Sequence, residues 1–314
     1  MKYMACGNIM SDMVEDAHGV RGPLHIGGPA FFALTALRLW TKDCKLVCQA
    51  GADYDATYGS WMDLHGLSRE SIRVEADHCT VHVLKYNEDG SYGHQSIYGS
   101  QNLGYLKTTP EHIEAAASDD TVGFYLAQNQ DKVFWKKLEE VKNKKNLKMM
   151  WELEVPKPGD NLGDKLQRIK DVIHIADMWS LNSNEASYIF DIPKENDEDI
   201  INEIMKLPVE MTLYRVGKRG AYAVTPSTAV FCESIDVTES IDPTGCGNSS
   251  TGAAMWAHLE GLDPAMVVVV ANLTAGYNVA QVGPIPYISD EIMEDARRRA
   301  VEYYKKITGK EFVK

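Results

Sequence analysis

The chain has 314 residues, 44% hydrophobic and 25% charged, with a formal net charge of −13. That length allows one large domain or two modest ones, and the apolar share can fill a sizeable core. Strong acidity makes a phosphate backbone a poor partner, so nucleic acid is not expected.

KYMACGNI reads as a short buried strand that ends at Gly7-Asn8. HIGGPAFFALTALRLW follows, with apolar residues at helical spacing and Pro29 suited to a first turn. CKLVCQAG is strand-like and leads through Asp53 and Gly59 into a helix at SWMDLHG. CTVHVLKY and SYGHQSIY alternate around the turn NEDG, which predicts a hairpin whose sheet is exposed on one face. From residue 110 helices and strands alternate: PEHIEAAA, TVGFYLAQ, DKVFWKKLEEVKNK, LKMMWELEV, GDKLQRIKDV and NEASYIF. VEMTLYRVG and GAYAVT are later strands, and EIMEDARRRAVEYYKKI is an amphipathic helix. Alternation of this kind implies βαβ units and a mostly parallel sheet. Ligands of such sheets sit beyond the carboxyl ends of the strands, so strand-to-helix loops are where chemistry is expected.

The cysteines (Cys6, Cys44, Cys48, Cys79, Cys232, Cys246) are scattered, with no CxxC pair at metal spacing, which predicts reduced thiols in a cytoplasmic protein. MKYMACGNIMSD lacks the apolar core of a secretory signal. The run Val267 to Ala271 is far below the roughly 20 apolar residues that span a bilayer, so no membrane association is expected.

TGCGNSSTGA (244–253) is the strongest site candidate. Gly245 and Gly247 let the backbone fold tightly and aim successive N–H groups into one concavity. The helix that opens there adds free N–H groups and its positive dipole end, a cradle for charge on a transferring phosphoryl group. The plainer reading is a glycine-rich turn that caps a helix, with Asn248 or Ser249 as N-cap.

DPTGCGN resembles the D-T/P-T-G-A/C-G-D signature of the ribokinase/PfkB family of carbohydrate kinases, and further segments fall in that family's order. GNIMSD resembles its first strand with a sugar-contacting aspartate, here Asp12. GGPAFFA resembles its paired-glycine substrate loop at Gly27 and Gly28, and GADYDATYG its G-x-D-x-x-x-G element with one extra residue. NSNE matches the N-x-x-E element, Asn182 and Glu185, tied to magnesium and phosphate positioning. RVGKRG, with Arg215, Gly217 and Gly220, resembles the T-x-G-x-x-G loop at the nucleotide phosphates. ANLTAGYNVAQVG, with Asn272, resembles the segment beside the adenine, and Asp242 falls in the family's cation-binding loop.

The resemblance implies a single ribokinase-like α/β domain over residues 1–314: a doubly wound, mostly parallel sheet flanked by helices. A small β-sheet lid would be built from excursions at about 10–24 and 78–100. It implies ATP-dependent phosphoryl transfer to a hydroxyl of a sugar, polyol or nucleoside. ATP and Mg2+ would be bound, with magnesium reached from Glu185 through water and a monovalent cation near Asp242. Lids of that family often pair between subunits, so a homodimer is an expectation. In the family the residue at position 248 is the aspartate that accepts the attacking hydroxyl's proton, and Gly245, Cys246 and Gly247 form the anion hole.

Here Asn248 stands at the base position. An amide donates and accepts hydrogen bonds but is no general base near neutral pH. Losing a general base typically costs about 10²–10⁴-fold in rate. Phosphoryl transfer rests mainly on positioning and electrostatics, so either a slow kinase or a non-catalytic relative that binds sugar and nucleotide is consistent. The spacing of Asn182 and Glu185 suits magnesium-bound waters or a capping box. Asp12 suits two hydroxyls or an ordinary turn. Arg215, where the family usually has a small hydroxyl residue, is either a phosphate grip or a strand-end surface cation. Phe31-Phe32 is an apolar pocket wall or core packing. Ser249, Ser250 and Thr251 either cap the helix or touch a ligand. His78, His82 and His94, around the hairpin, do not have metal spacing and read as solvated.

Overall fold

The computed structural model describes residues 1–86, 92–154 and 164–313. In chain order the strands are β1 (Tyr3–Cys6), β2 (Met10–Glu15), β3 (Arg21–Gly27), β4 (Cys44–Gly51), β5 (Ile72–Ala76), β6 (Thr80–Tyr86), β7 (Tyr92–Ser96), β8 (Gly123–Gln128), β9 (Lys148–Leu153), β10 (Met178–Asn182), β11 (Met211–Arg215), β12 (Gly220–Val224) and β13 (Ala229–Glu233). The large sheet has the order β13-β12-β11-β10-β9-β8-β1-β4-β5. Its run from β11 to β5 is parallel throughout, and β12 and β13 add an antiparallel edge. The expected mostly parallel α/β architecture is therefore what forms. Among the described residues, no helix is long and apolar enough to cross a membrane.

The central strands fold as the sequence suggests because they are short and largely apolar, as a sheet covered on both faces requires. Phe124, Leu126, Met149 and Trp151 fill one layer of core, while Tyr125, Met150 and Leu213 face the other. Helices Pro29–Trp40, Cys246–Leu259 and Pro264–Asn278 cover that second face. In the first of them Ala30 to Trp40 are all buried, which is why its sequence is apolar nearly all round.

A separate four-stranded sheet has the order β3-β2-β6-β7. β2 pairs antiparallel with β3 and parallel with β6, so the excursion after β1 joins the hairpin β6–β7. The expected NEDG turn of that hairpin lies outside the described residues.

Helix Cys246–Leu259 approaches helix Pro29–Trp40 closely at Gly252, where a Cβ would come within 3.0 Å of both the Cα and carbonyl oxygen of Ala33. Those contacts are with backbone and cannot step aside. Gly252→Val should lower stability by about 1–3 kcal/mol through overpacking, read as a lower urea midpoint with unchanged slope. Wild-type stability in that variant would show that the contact does not fix the helix.

Candidate active site

Strand alternation assembles the site before any loop contributes. Successive residues of a strand face opposite sides, so Tyr125, Glu152 and Arg215 share the face with Met150 and Leu213. Register carries them to the carboxyl ends: Ala127 pairs with Glu152, Glu152 with Ser180, and Asn182 with Arg215. The covering element on that face is helix Cys246–Leu259, tied down where Ser180 Oγ lies 2.7 Å from Thr251 Oγ1.

The loop entering this helix takes its shape from Gly245, the N-cap, with φ 78°. Left-handed backbone is costly for most residues. Space makes the requirement stricter, because a Cβ on Gly245 would lie 2.2 Å from the Phe32 ring. Asn278 Nδ2 donates to Thr244 O (2.8 Å) and holds the loop from the neighbouring helix. Ser249 N–H makes the first regular helical bond, to Gly245 O (2.8 Å), so the N–H groups of Gly247 and Asn248 precede the ladder. Cys246 N–H donates to Pro243 O (3.1 Å), so of the helix's first three N–H groups those of Gly247 and Asn248 have no backbone partner among the described residues.

The expected alternatives divide cleanly. The cap is Gly245, not Asn248 or Ser249, because the chain turns one residue before Cys246. Ser249 and Ser250 are turned into the fold: Ser249 Oγ donates to Asn278 Oδ1 (3.1 Å) and Ser250 Oγ to Gly247 O (2.9 Å). Thr251 Oγ1 bonds Gly247 O (2.8 Å), so these hydroxyls brace the helix. Phe31 and Phe32 are both buried. Phe31 packs on Tyr58 and Trp61, and Phe32 is wedged beneath Gly245, so core packing accounts for both.

Asn248 leads into a hydrogen-bonded ring that the sequence does not announce. Its Nδ2 donates to Glu152 Oε2 (3.0 Å) and to Tyr125 Oη (3.2 Å), and Tyr125 O–H donates to the same carboxylate oxygen (2.5 Å). A carboxylate only accepts, which fixes the amide's orientation. Burial, then the neighbouring Glu152, pushes the Tyr125 phenol well above its ordinary value, so it remains a donor.

Arg215 is not the strand-end surface cation that its position suggests. Its Nη2 lies 3.0 Å from Glu152 Oε1 and 3.8 Å from Glu185 Oε2. The side chain is 14% exposed, against 6% for Glu152 and 17% for Glu185. The guanidinium also closes on Gly247, where a Cβ would lie 2.0 Å from Nη1.

Asn182 and Glu185 form a complete capping box. Asn182 Oδ1 accepts from Glu185 N–H (3.0 Å), and Glu185 Oε2 accepts from Asn182 N–H (2.6 Å). Burial raises the Glu185 carboxyl above the usual range, and Arg215 opposes that shift.

Other sequence-derived candidates lie further out. Gly217 and Gly220 bound the short turn between β11 and β12. Asn272 Nδ2 donates to Cys232 O (2.7 Å) and Glu233 O (3.1 Å), so its donor serves the packing of a helix against β13. Asp242 is half-buried and accepts from Thr244 N–H (3.0 Å) and O–H (2.7 Å). On the small sheet, Asp12 Oδ1 lies 3.9 Å from His82 Nδ1. Gly27 meets Asp12, since a Cβ there would be 3.1 Å from Oδ2, and Gly28 abuts the backbone of Ile9 and Met10. His78 pairs with Asp53 (3.0 Å), and His82 is half-buried rather than solvated.

A family profile, pfkB family carbohydrate kinase, matches residues 12–291. The chain belongs to that family. Its fold is shared with solved kinases at low identity. Burkholderia thailandensis nucleoside kinase, in complex with inosine, is 19% identical with a TM-score of 0.71, covering 98% of each chain. Arabidopsis thaliana ribokinase, complexed with ribose and ATP, is 14% identical with a TM-score of 0.74, covering 95% of this chain and 98% of that one. Xylella fastidiosa fructokinase with bound ATP is 14% identical with a TM-score of 0.73 over the same shares. No curated protein matches.

Sequence reasoning missed Glu152 and Tyr125. The available signal was an acidic residue inside the apolar run KMMWEL, since a carboxylate there must be partnered. The ring makes a prediction about Asn248→Asp. A second carboxylate would face Glu152 at about the 3.0 Å now spanned by the amide. One of the two should hold a raised pKa, so stability is present at low pH and lost as pH rises. Melting temperatures at pH 5 and pH 8 should diverge more in Asn248→Asp than in wild type. Asn248→Asp/Glu152→Gln should close the gap, and parallel pH profiles for all three proteins would refute the contact.

Proposed function

We propose that this chain is an ATP-dependent phosphotransferase whose acceptor is a hydroxyl of a sugar, polyol or nucleoside, and that its chemical step is slow. The observation that carries this is the turn at Gly245 at the opening of helix Cys246–Leu259, with the N–H groups of Gly247 and Asn248 unpartnered among the described residues, in a chain of the pfkB family. Donors fixed before the reaction stabilise charge that develops on a transferring group.

The acceptor would lie between this turn and the small sheet, which would close over it as a lid, with Asp12 accepting hydrogen bonds from its hydroxyls. Asn248 spends its N–H groups on Glu152 and Tyr125, which leaves Oδ1 as the atom that can orient the attacking hydroxyl. The hydroxyl oxygen bonds to the γ-phosphorus as the bond to the leaving ADP oxygen breaks. Its proton passes to a phosphoryl oxygen or to solvent, since the amide cannot take it. Glu152 is a poor substitute base, because both its oxygens already accept hydrogen bonds or pair with Arg215.

Magnesium, which the family resemblance reaches from Glu185 through water, would find Oε2 of that carboxylate already occupied. Oε2 is engaged by Asn182 N–H, and a guanidinium stands 3.8 Å away on the same oxygen.

A second reading, a relative that binds ligands without transfer, draws on Asn248 and on the guanidinium placed against Gly247. Phosphorylated product measured by mass spectrometry, over a panel of sugars, polyols and nucleosides with ATP, separates the two. Transfer should appear with at least one acceptor, at a rate about 10²–10⁴-fold below that expected with an intact base. Saturable binding with no product across the panel would favour the second reading.

A further inference from the structure

We propose that Arg215 is a built-in counter-cation: its guanidinium takes the position of a divalent metal between Glu152 and Glu185, so that the nucleotide's phosphates bind without one. The inference rests on the kinase reading above and assigns the chemistry of its phosphate end.

The geometry makes the case in three parts. Two carboxylates at adjoining strand and helix ends converge on one point, and that point holds Nη2, 3.0 Å from Glu152 and 3.8 Å from Glu185. An ion placed there would have to displace a guanidinium already paired with both. The same guanidinium reaches the cradle, because Nη1 occupies the space a side chain at Gly247 would take. Its charge therefore lies beside the N–H groups at the start of helix Cys246–Leu259. Finally, Arg215 Nε is buried with no hydrogen-bond partner among the described residues, so the Nη donors are the ones a phosphate oxygen would meet. A guanidinium has five donors in a rigid fork, enough to hold carboxylates on one side and phosphate oxygens on another. The arrangement needs all three residue choices together: an acid at 152, an arginine at 215 and no side chain at 247.

A bound magnesium ion gives up part of its water shell reluctantly, whereas a guanidinium fixed by packing carries its charge without that step. The consequence is measurable without turnover. Calorimetric titration of the whole chain with ADP, and with a non-hydrolysable ATP analogue, should give dissociation constants that agree within about threefold in EDTA and in excess Mg2+. Binding that appears only with Mg2+ would overturn the inference and leave the kinase reading standing. No binding under either condition would overturn both. Arg215→Ser should weaken binding in EDTA by about 10- to 100-fold, the range for losing a charge-assisted contact. In that variant the freed carboxylates should bind Mg2+ alone, so the ion should raise the melting temperature of Arg215→Ser but not of wild type. Unchanged affinity in EDTA for a folded Arg215→Ser would also overturn the proposal. If that variant does not fold, the wild-type comparison decides.

Discussion

The site depends on the burial of one carboxylate. Glu152 is buried on the face of β9 that packs against a helix, and a charge taken out of water must be partnered on every side. Tyr125 and Asn248 donate to one oxygen, and Arg215 pairs with the other. Each partner then constrains a further position. Arg215 leaves no room for a side chain at Gly247, and Gly247 lies in the turn that Gly245 shapes over Phe32. The substitution at 248 thus belongs to a set. With Glu152 beside it, an amide is the residue that contributes attraction, whereas an aspartate would add a second negative charge to the same oxygen.

That set reapportions the work of the site. Under the proposed reading, position 248 supplies an amide in place of a base, and a guanidinium paired with Glu152 and Glu185 stands against Gly247. Since positioning and electrostatic stabilisation dominate phosphoryl transfer, such an exchange would lower a rate more than it would weaken binding. The hydroxyls of Ser249, Ser250 and Thr251, directed at Asn278, Gly247 and Ser180, show the same economy: the first turns of the helix are braced from within, leaving the N–H groups ahead of it for a ligand.

Much of the fold was legible. Largely apolar strands such as YMAC and FYLA, separated by amphipathic helices, specify a parallel sheet covered on both faces, because burial acts locally on side-chain pattern. The capping box of Asn182 and Glu185 is readable at a spacing of three residues, since both partners lie in one turn. The cradle glycines were equally visible. Less so was the cap, where Asn248 has the better intrinsic preference; the turn packed over Phe32 made Gly245 the residue that opens the helix.

By itself the sequence determined the order and type of most central elements, the glycine-rich turn before helix Cys246–Leu259 and the amide at 248, since each is a property of a few adjacent residues. Only the tertiary structure decided what surrounds Asn248. Tyr125, Glu152 and Arg215 come from three different strands and share a neighbourhood through register and alternation, which no local pattern encodes. The charge state and partners of a buried group depend on those distant neighbours. Arg215 could therefore be read from its strand end as a solvated cation, and it became an internal counter-charge once the sheet had closed around it.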